Sequence, residues 1–429
     1  MKKFLALILA LVMVLSLVAC GSSTDAEGDD AEGGDSEASI KIGYVYIGDE
    51  NEGYTAAHMN GIHAAMDKLG IPKDAIVEYT VIPEDETCTD KCTDLAEAGC
   101  DVIFTNSYGH QTFCADVASQ YPDIQFVSMT GDFAAISGLD NFSNAFPHTY
   151  ESRYVSGVVA GMKLAELIKD NKIPDKGFDK DGNVKIGYVG AFPYAEVKSG
   201  YTAFYLGVKS IVPNVVMDVQ FTNSWFDQTK EGETAKFLMS RGCVIIGQHA
   251  DSTGAPAAVQ EAQDKEKTVA YSIGYNVDML KVAPTAALTS SQNNWEVYYE
   301  YALGQVLAGE KIDTNWSEGY AKDAVMISAL GESCAEGTQE KVDEVIAAIK
   351  DGSLKVFDTA TFTVGGKTLT TAPTDLSYGT WDNDGNFHEM YHGDTVEAVV
   401  DGAFAESVFR SAPYFALDID GINLLTNEG

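Results

Sequence analysis

The densest chemistry in this chain lies between residues 221 and 252, which read FTNSWFDQTKEGETAKFLMSRGCVIIGQHADS. Trp225, Phe226 and Asp227 form a polar turn after an apolar-ending run. Ala235, Leu238 and Met239 follow at helical spacing. Val244–Ile246 then reads as a strand that stops abruptly at Gln248, His249, Asp251 and Ser252. The pattern predicts a strand–loop–helix–strand unit, with an aromatic at the first strand exit and a polar cluster at the second. Ligands of open α/β sheets bind at the carboxyl ends of strands. A Trp face beside hydrogen-bonding groups suits a flat polar ligand, because the face stacks and the edges need partners. The plainer alternative is a βαβ unit whose Trp packs into its own lobe. A hydrolase reading would join His249 and Asp251 to Asp132. That set lacks a nucleophile, and no GxSxG or P-loop pattern occurs. The chain is expected not to be an enzyme.

The elements that would carry these residues are duplicated. Lys41-Ile42-Gly43-Tyr44-Val45 recurs as Lys185-Ile186-Gly187-Tyr188-Val189, and Gly53-Tyr54-Thr55-Ala56 as Gly200-Tyr201-Thr202-Ala203. Leu95-x-x-x-Gly99-Cys100-x-Val102-Ile103 is echoed by Leu238-x-x-x-Gly242-Cys243-x-Ile245-Ile246. Strands ending near Tyr44–Ile47, Phe104, Val127, Val189, Phe221, Ile246 and Ile273 alternate with helical patterns. The fold class is α/β: two doubly wound parallel-sheet lobes joined by a hinge, with ligand closing between them. The strand exits then face one cleft. The first lobe offers Tyr54, His58, Asn106, Ser107, Tyr108, Thr130 and Asp132. The second offers Phe192, Trp225, Asp227, His249, Asp251, Tyr275 and Asp278.

The expected domains are a signal at 1–20, an acidic tether at 21–39, the first lobe at 40–147 and the second at 148–284. A segment at 285–312 is expected to return to the first lobe, and 313–429 to form a C-terminal extension packing on the lobes. Lys2 and Lys3 precede the apolar run Phe4–Leu17, and Val18-Ala19-Cys20 supplies small residues and a cysteine. That order reads as a secretory signal, too short to span a bilayer. It resembles a bacterial lipobox, which implies a lipidated Cys20 and a protein held on the extracytoplasmic face of the cell membrane. Residues 21–39 contain no large apolar side chain and read as a solvated tether. The formal charge of −36 argues against a nucleic-acid partner, since phosphate binding needs clustered Lys and Arg.

Cys88 and Cys92, four apart, are expected to share a helix face. A metal site would want two further soft ligands nearby, so none is expected, and no cofactor is implied. Spacing does not decide whether a disulfide joins two of Cys88, Cys92 and Cys114. Val342–Ile349 reads as a helix, Gly365-Gly366 as a turn, and Asp382–Asn386 as turn-rich without the carboxylate a calcium loop needs.

From Ser39 to Gly309 the chain resembles the basic membrane protein (PnrA-like) family of substrate-binding lipoproteins of ABC transporters. The resemblance rests on Gly53-Tyr54-Thr55 with His58 and Gly61, Arg153-Tyr154-x-x-Gly157-x-x-Ala160-Gly161 and Pro193-x-x-Glu196-Val197. It also rests on Trp225-Phe226-Asp227, Gln248-His249-x-Asp251-Ser252, Gly274-Tyr275-x-x-Asp278-Met279 and Asn294-Trp295. It implies a type I periplasmic-binding-protein fold, a purine base or nucleoside as ligand, an ABC permease as partner, and no catalysis. Nucleoside-binding members carry a carboxylate where this chain has Asn276 and a lysine where it has Asn293, both on ribose hydroxyls. Those departures put ribose recognition in doubt. The motifs resemble the branch that binds adenine or another free purine base, with Tyr54, Trp225, Asp251, Asn294 and Trp295 among the implied contacts. A ligand-sensing surface lipoprotein, or a binder of a nucleoside or flavin, is the alternative.

Overall fold

The computed structural model describes residues 40–381 and 387–425. The signal with Cys20, the tether and the run Asp382–Asn386 lie outside the described residues. No described helix is long and apolar enough to cross a membrane.

Each lobe begins with the same five-strand pattern. The first has β1 (Ile42–Val45), β2 (Ile76–Tyr79), β3 (Val102–Thr105), β4 (Gln125–Met129) and β5 (Phe142–Ala145). The second has β6 (Val184–Gly190), β7 (Val215–Phe221), β8 (Ile245–Gln248), β9 (Tyr271–Tyr275) and β10 (Ala287–Asn293). Two later strands, β11 (Asn315–Trp316) and β12 (Val325–Ile327), add one edge to each sheet. Among the described residues the sheet orders are β11-β5-β4-β3-β1-β2 and β12-β10-β9-β8-β6-β7, the second extended past β7 by Ile422–Leu424. The two five-strand orders are therefore the same, as the sequence duplication predicts. Within these two sheets all pairs are parallel except β10–β12.

The helices between strands are α1 (Gly53–Leu69), α2 (Glu86–Glu97), α3 (Gln111–Ala118) and α4 (Ala134–Ser137) in the first lobe. They are α5 (Thr149–Lys169), α6 (Ala195–Ile211), α7 (Gln228–Ser240) and α8 (Gly254–Glu266) in the second. The duplicated Gly-Tyr-Thr-Ala motif differs in use. It opens α1, but in α6 it starts five residues in, so Tyr201 is buried while Tyr54 is only half-buried. Cys88, Cys92 and Cys114 are free thiols buried together in one core cluster. Among the described residues no group of three or more potential ligands forms a metal site.

Three chain crossings lie side by side between the lobes. Each runs where a strand of one sheet ends and an element of the other lobe begins: β5 to α5, β10 to α9 (Trp295–Leu307), and β11 to β12. His148 N–H donates to the Glu318 carbonyl (2.8 Å), Asn294 N–H to the Ala324 carbonyl (2.8 Å), and Thr149 Oγ1–H to Asn293 Oδ1 (2.7 Å). The segment 285–312 is thus divided. Its strand β10 belongs to the second sheet, and only α9 lies in the first lobe, against α1. The expected return therefore starts at the end of β10, because the apolar strand pattern pairs with β9 before the chain crosses. After the crossings, α10 (Thr338–Lys350) packs on α5.

α5 and α6 are in close contact because glycines face each other. A Cβ at Gly157 would stand 2.2 Å from the Phe204 carbonyl oxygen, and one at Gly207 would stand 2.1 Å from that of Tyr154. Gly157→Ala must therefore push the helices apart. Overpacking of this kind costs about 1–3 kcal/mol, so the thermal midpoint falls while far-UV circular dichroism keeps its shape. Gly304 in α9 has open space around its Cβ position. Gly304→Ala serves as the control and stabilises by up to about 1 kcal/mol. Equal melting temperatures for the two variants would contradict this packing.

Candidate ligand-binding cleft

The cleft is built from loops at the carboxyl edges of both sheets. On the first-lobe side Glu52 caps α1, accepting from the backbone N–H of Tyr54 (2.8 Å) and Thr55 (2.7 Å). This fixes Tyr54 at the helix start, half-buried, with its hydroxyl donating to the Asn106 carbonyl and lying 3.5 Å from Thr130 Oγ1. Asn106 in turn donates to Thr55 Oγ1 (3.2 Å). Thr130 has φ 59°, a left-handed conformation costly for a β-branched residue.

On the second-lobe side Arg153, one turn into α5, is 1 % exposed. Its Nη1 donates to the Gln248 carbonyl (2.6 Å), and its guanidinium lies 3.7 Å from the centre of the Tyr275 ring. His249 Nε2 is 3.3 Å from Glu196 Oε1, and the His249 ring is 5.0 Å from Tyr275. Asn276, at φ 61°, donates from Nδ2 to Asp251 Oδ1 (2.6 Å). Glu231, fully buried, accepts from the backbone N–H of Ser252 (3.2 Å to each oxygen) and Asp227 (3.1 Å), so it holds the loop that carries Asp251.

The lobes meet across these residues. A Cβ added at Gly53 would stand 3.0 Å from the Asp251 carbonyl oxygen and 3.8 Å from Asn276 Cβ. The electrostatics follow from burial. Burial pushes the Glu196 carboxyl up to about 7, opposed by Arg153. Burial, reinforced by Glu52, Glu231 and Glu196, raises the Asp251 carboxyl well above its usual range. Burial and Arg153 together keep the His249 imidazole neutral.

The expected site residues divide accordingly. Tyr54, His249, Asp251 and Tyr275 are brought together at the lobe contact. Phe192 and Trp225 form an aromatic group with Tyr194 at the second-lobe strand exits, with ring centres 5.1–6.2 Å apart. Ser107 bonds Glu84 (2.5 Å) in a neighbouring loop.

The remaining expectations are corrected. His58 and Trp295 are core residues of the first lobe, stacked 4.0 Å apart, with His58 Nδ1 2.6 Å from the Tyr299 hydroxyl. Asp227 is the N-cap of α7, accepting from Lys230 N–H. Asp278 is exposed and accepts from Leu280 N–H. Asn294 donates to the Asp323 carbonyl (2.9 Å) at a crossing. Tyr108 and Asp132 are covered by the C-terminal extension, Tyr108 by the Tyr378 ring and Asp132 by Arg410. Arg153, Glu196 and Glu231 are the groups missing from the expected set. Arg153 and Glu196 stand in the resemblance motifs, and that was their one signal. Glu231 reads as an ordinary charged helix position.

The family of PnrA-like ABC transporter substrate-binding proteins matches residues 42–356. The chain belongs to this family. The match runs past Gly309, where the resemblance ended, and includes α10. A purine-binding protein of Brucella abortus (strain 2308) is 32 % identical over 75 % of this chain and 84 % of its own length. A protein of Haloferax volcanii, provisionally named an ABC transporter glucose-binding protein, is 27 % identical over 80 % of each chain. A solute-binding protein structure from Aeropyrum pernix K1 superposes with a TM-score of 0.61 at 17 % identity, covering 74 % of this chain and 93 % of that one. The fold is the two-lobed type I fold of solute-binding proteins. PnrA-like proteins bind small ligands and deliver them to ABC permeases; they are not enzymes.

The Glu231 carboxyl sits at about 7, against an ordinary 4.5, because it is buried. A raised carboxyl keeps its proton longer in the folded chain than in the unfolded one. Its contribution is therefore complete below about pH 4.5 and is lost as the pH climbs to about 7. Glu231→Gln mimics the protonated form and removes that loss. Urea titrations across pH 4.5–7.5 should show wild type losing stability relative to Glu231→Gln as the pH rises. Parallel curves would refute a buried, elevated carboxyl.

Proposed function

We propose that this protein binds a purine as the free base between its lobes, adenine being favoured, and hands it to a membrane permease. One observation carries the reading: Asp251 and Asn276 are joined at 2.6 Å beside the Tyr54 and Tyr275 rings. A carboxyl group and an amide side by side offer an in-plane hydrogen-bonding edge to a planar heterocycle. The tyrosines and the Phe192–Tyr194–Trp225 group supply apolar faces. The purine-binding relative supports the ligand class. Free base is favoured over nucleoside because Asn276 is engaged by Asp251 and Asn293 by Thr149 at the crossing. Neither supplies the charge-assisted bond a ribose hydroxyl would receive from a carboxylate or a lysine.

Calorimetry on unfolded and refolded protein from Gly21 onward tests this against adenine, guanine, hypoxanthine, xanthine, their nucleosides, riboflavin and glucose. The expected result is tight binding of one base, with its nucleoside weaker by at least about tenfold, or about 1.4 kcal/mol. Equal binding of the nucleoside overturns the base preference. Binding of riboflavin or glucose alone overturns the purine. Trp225→Ala should weaken the base by roughly 1–3 kcal/mol if the indole stacks on it, a range set by base–aromatic stacking. Unchanged affinity assigns Trp225 to packing.

The proposal includes anchoring by lipid on Cys20 at the extracytoplasmic face of the membrane. Cys20→Ala should then release the protein from the membrane fraction, and retention there would contradict lipidation.

A further inference from the structure

We propose that the C-terminal extension is a latch between the two lobes, released at the Arg410–Asp132 ion pair. The extension after Val356 lies beyond the family match, and its contacts alternate between lobes. It starts on the second lobe, where Phe357 stacks on Phe415 at 4.5 Å within that lobe's core. It reaches the first lobe at Tyr378, whose ring lies 5.2 Å from Phe133 and 6.4 Å from Tyr108. It returns to the second lobe at Phe404, and further on Ile422–Leu424 pair with β7 and Asp418 stands 2.7 Å from Lys198.

Between those second-lobe anchors one short loop touches the first lobe again. Tyr414 closes it, its hydroxyl donating to the Ala405 carbonyl and accepting from Val408 N–H (3.1 Å). The loop holds Arg410 with its side chain 10 % exposed and Nη1 3.3 Å from Asp132 Oδ2, at the exit of β4. The next residue, Ser411, donates from its backbone to Asn315 Oδ1 (3.2 Å), beside the β11 crossing.

The two dockings differ in strength. The second-lobe side is strand pairing and core packing. The first-lobe side of the loop is one ion pair and hydrogen bonds from Ser411, whereas Tyr378, packed in the first lobe's core, stays with that lobe. Lobes that part at Gly53 and Asp251 carry the β4 exit away from α6, so the loop must leave one of them, and it leaves the first. Asp132 is prepared for that. Besides Arg410 it accepts from the Tyr108 hydroxyl (3.2 Å) and Gln111 Nε2 (3.2 Å), and its backbone N–H donates to Gln111 Oε1 (2.9 Å). Its carboxylate remains hydrogen-bonded once the guanidinium departs.

This latch is independent of ligand identity, so it is tested on the full chain without ligand, by hydrogen exchange read with mass spectrometry. In R410Q, exchange at residues 49–58 and 249–256, which face each other across the lobe contact, should rise at least about threefold as local opening becomes more frequent. Far-UV circular dichroism should be unchanged. D132N, isosteric and uncharged, should move the same peptides in the same direction, and it decides the matter if R410Q fails to fold. Wild-type exchange at both segments in a folded variant, with increased exchange confined to residues 405–414, would overturn the latch and leave the loop as surface packing.

Discussion

A guanidinium buried to 1 % exposure needs compensation for its lost water, and Arg153 finds it in one carbonyl and one aromatic face, while its Nε and Nη2 have no hydrogen-bond partner. It bonds the carbonyl that ends β8, lies on the face of the tyrosine that ends β9, and opposes the rise of the Glu196 carboxyl. The strand exits of the second lobe are thereby tied to one side chain. That side chain belongs to α5, which begins at the first crossing between the lobes. Gly157, one turn further along, lets α5 approach α6 closely enough for the arginine to pass the start of α6 near His249 and Gly200. The motif Arg153-Tyr154-x-x-Gly157 thus combines a charge that organises the cleft with a small residue that sets the distance at which it works.

The first lobe follows a different logic at the equivalent place. Its strand-to-helix loop is longer, so the repeated Gly-Tyr pair stands at the start of α1, capped by Glu52. Gly53 allows the two lobes to touch, and Tyr54 faces the cleft instead of the core. His58, one turn on, is buried and neutral against Trp295 and Tyr299, and it holds α1 to α9. Because α9 arrives from the second lobe, the packing that supports Tyr54 depends on a crossing.

The extension adds a constraint that the two duplicated lobes lack. It covers Tyr108 and Asp132, and leaves Tyr54 on one side of the lobe contact and Asp251, Tyr275 and Asn276 on the other. Burial also decides charge here. Glu196, Glu231 and Asp251 sit close enough, and dry enough, that each is held above its ordinary range. The region near Asp251 is more polar than it is anionic.

Much of this was written locally. Alternating and helical apolar periods, the Gly-Cys turns before β3 and β8, and the three repeated motifs determined two α/β lobes of one topology, because strand and helix periods report the face that must be buried. Strand-exit position alone put Tyr54, His249, Asp251 and Tyr275 on one edge of the two sheets, where the lobes meet. The tertiary structure decided which exit residues meet at the lobe contact and which pack elsewhere. His58 and Trp295 lie 237 positions apart and stack only because α1 meets α9. Asp227, Asp278 and Asn294 looked like ligand groups, but a short polar side chain at a turn is equally suited to satisfying the free backbone groups there, and that is how each is used. Arg410 reaches Asp132 across 278 positions. No local pattern encodes such a contact, since its cost is loop-closure entropy and its return is burial of a charge pair, both properties of the folded chain.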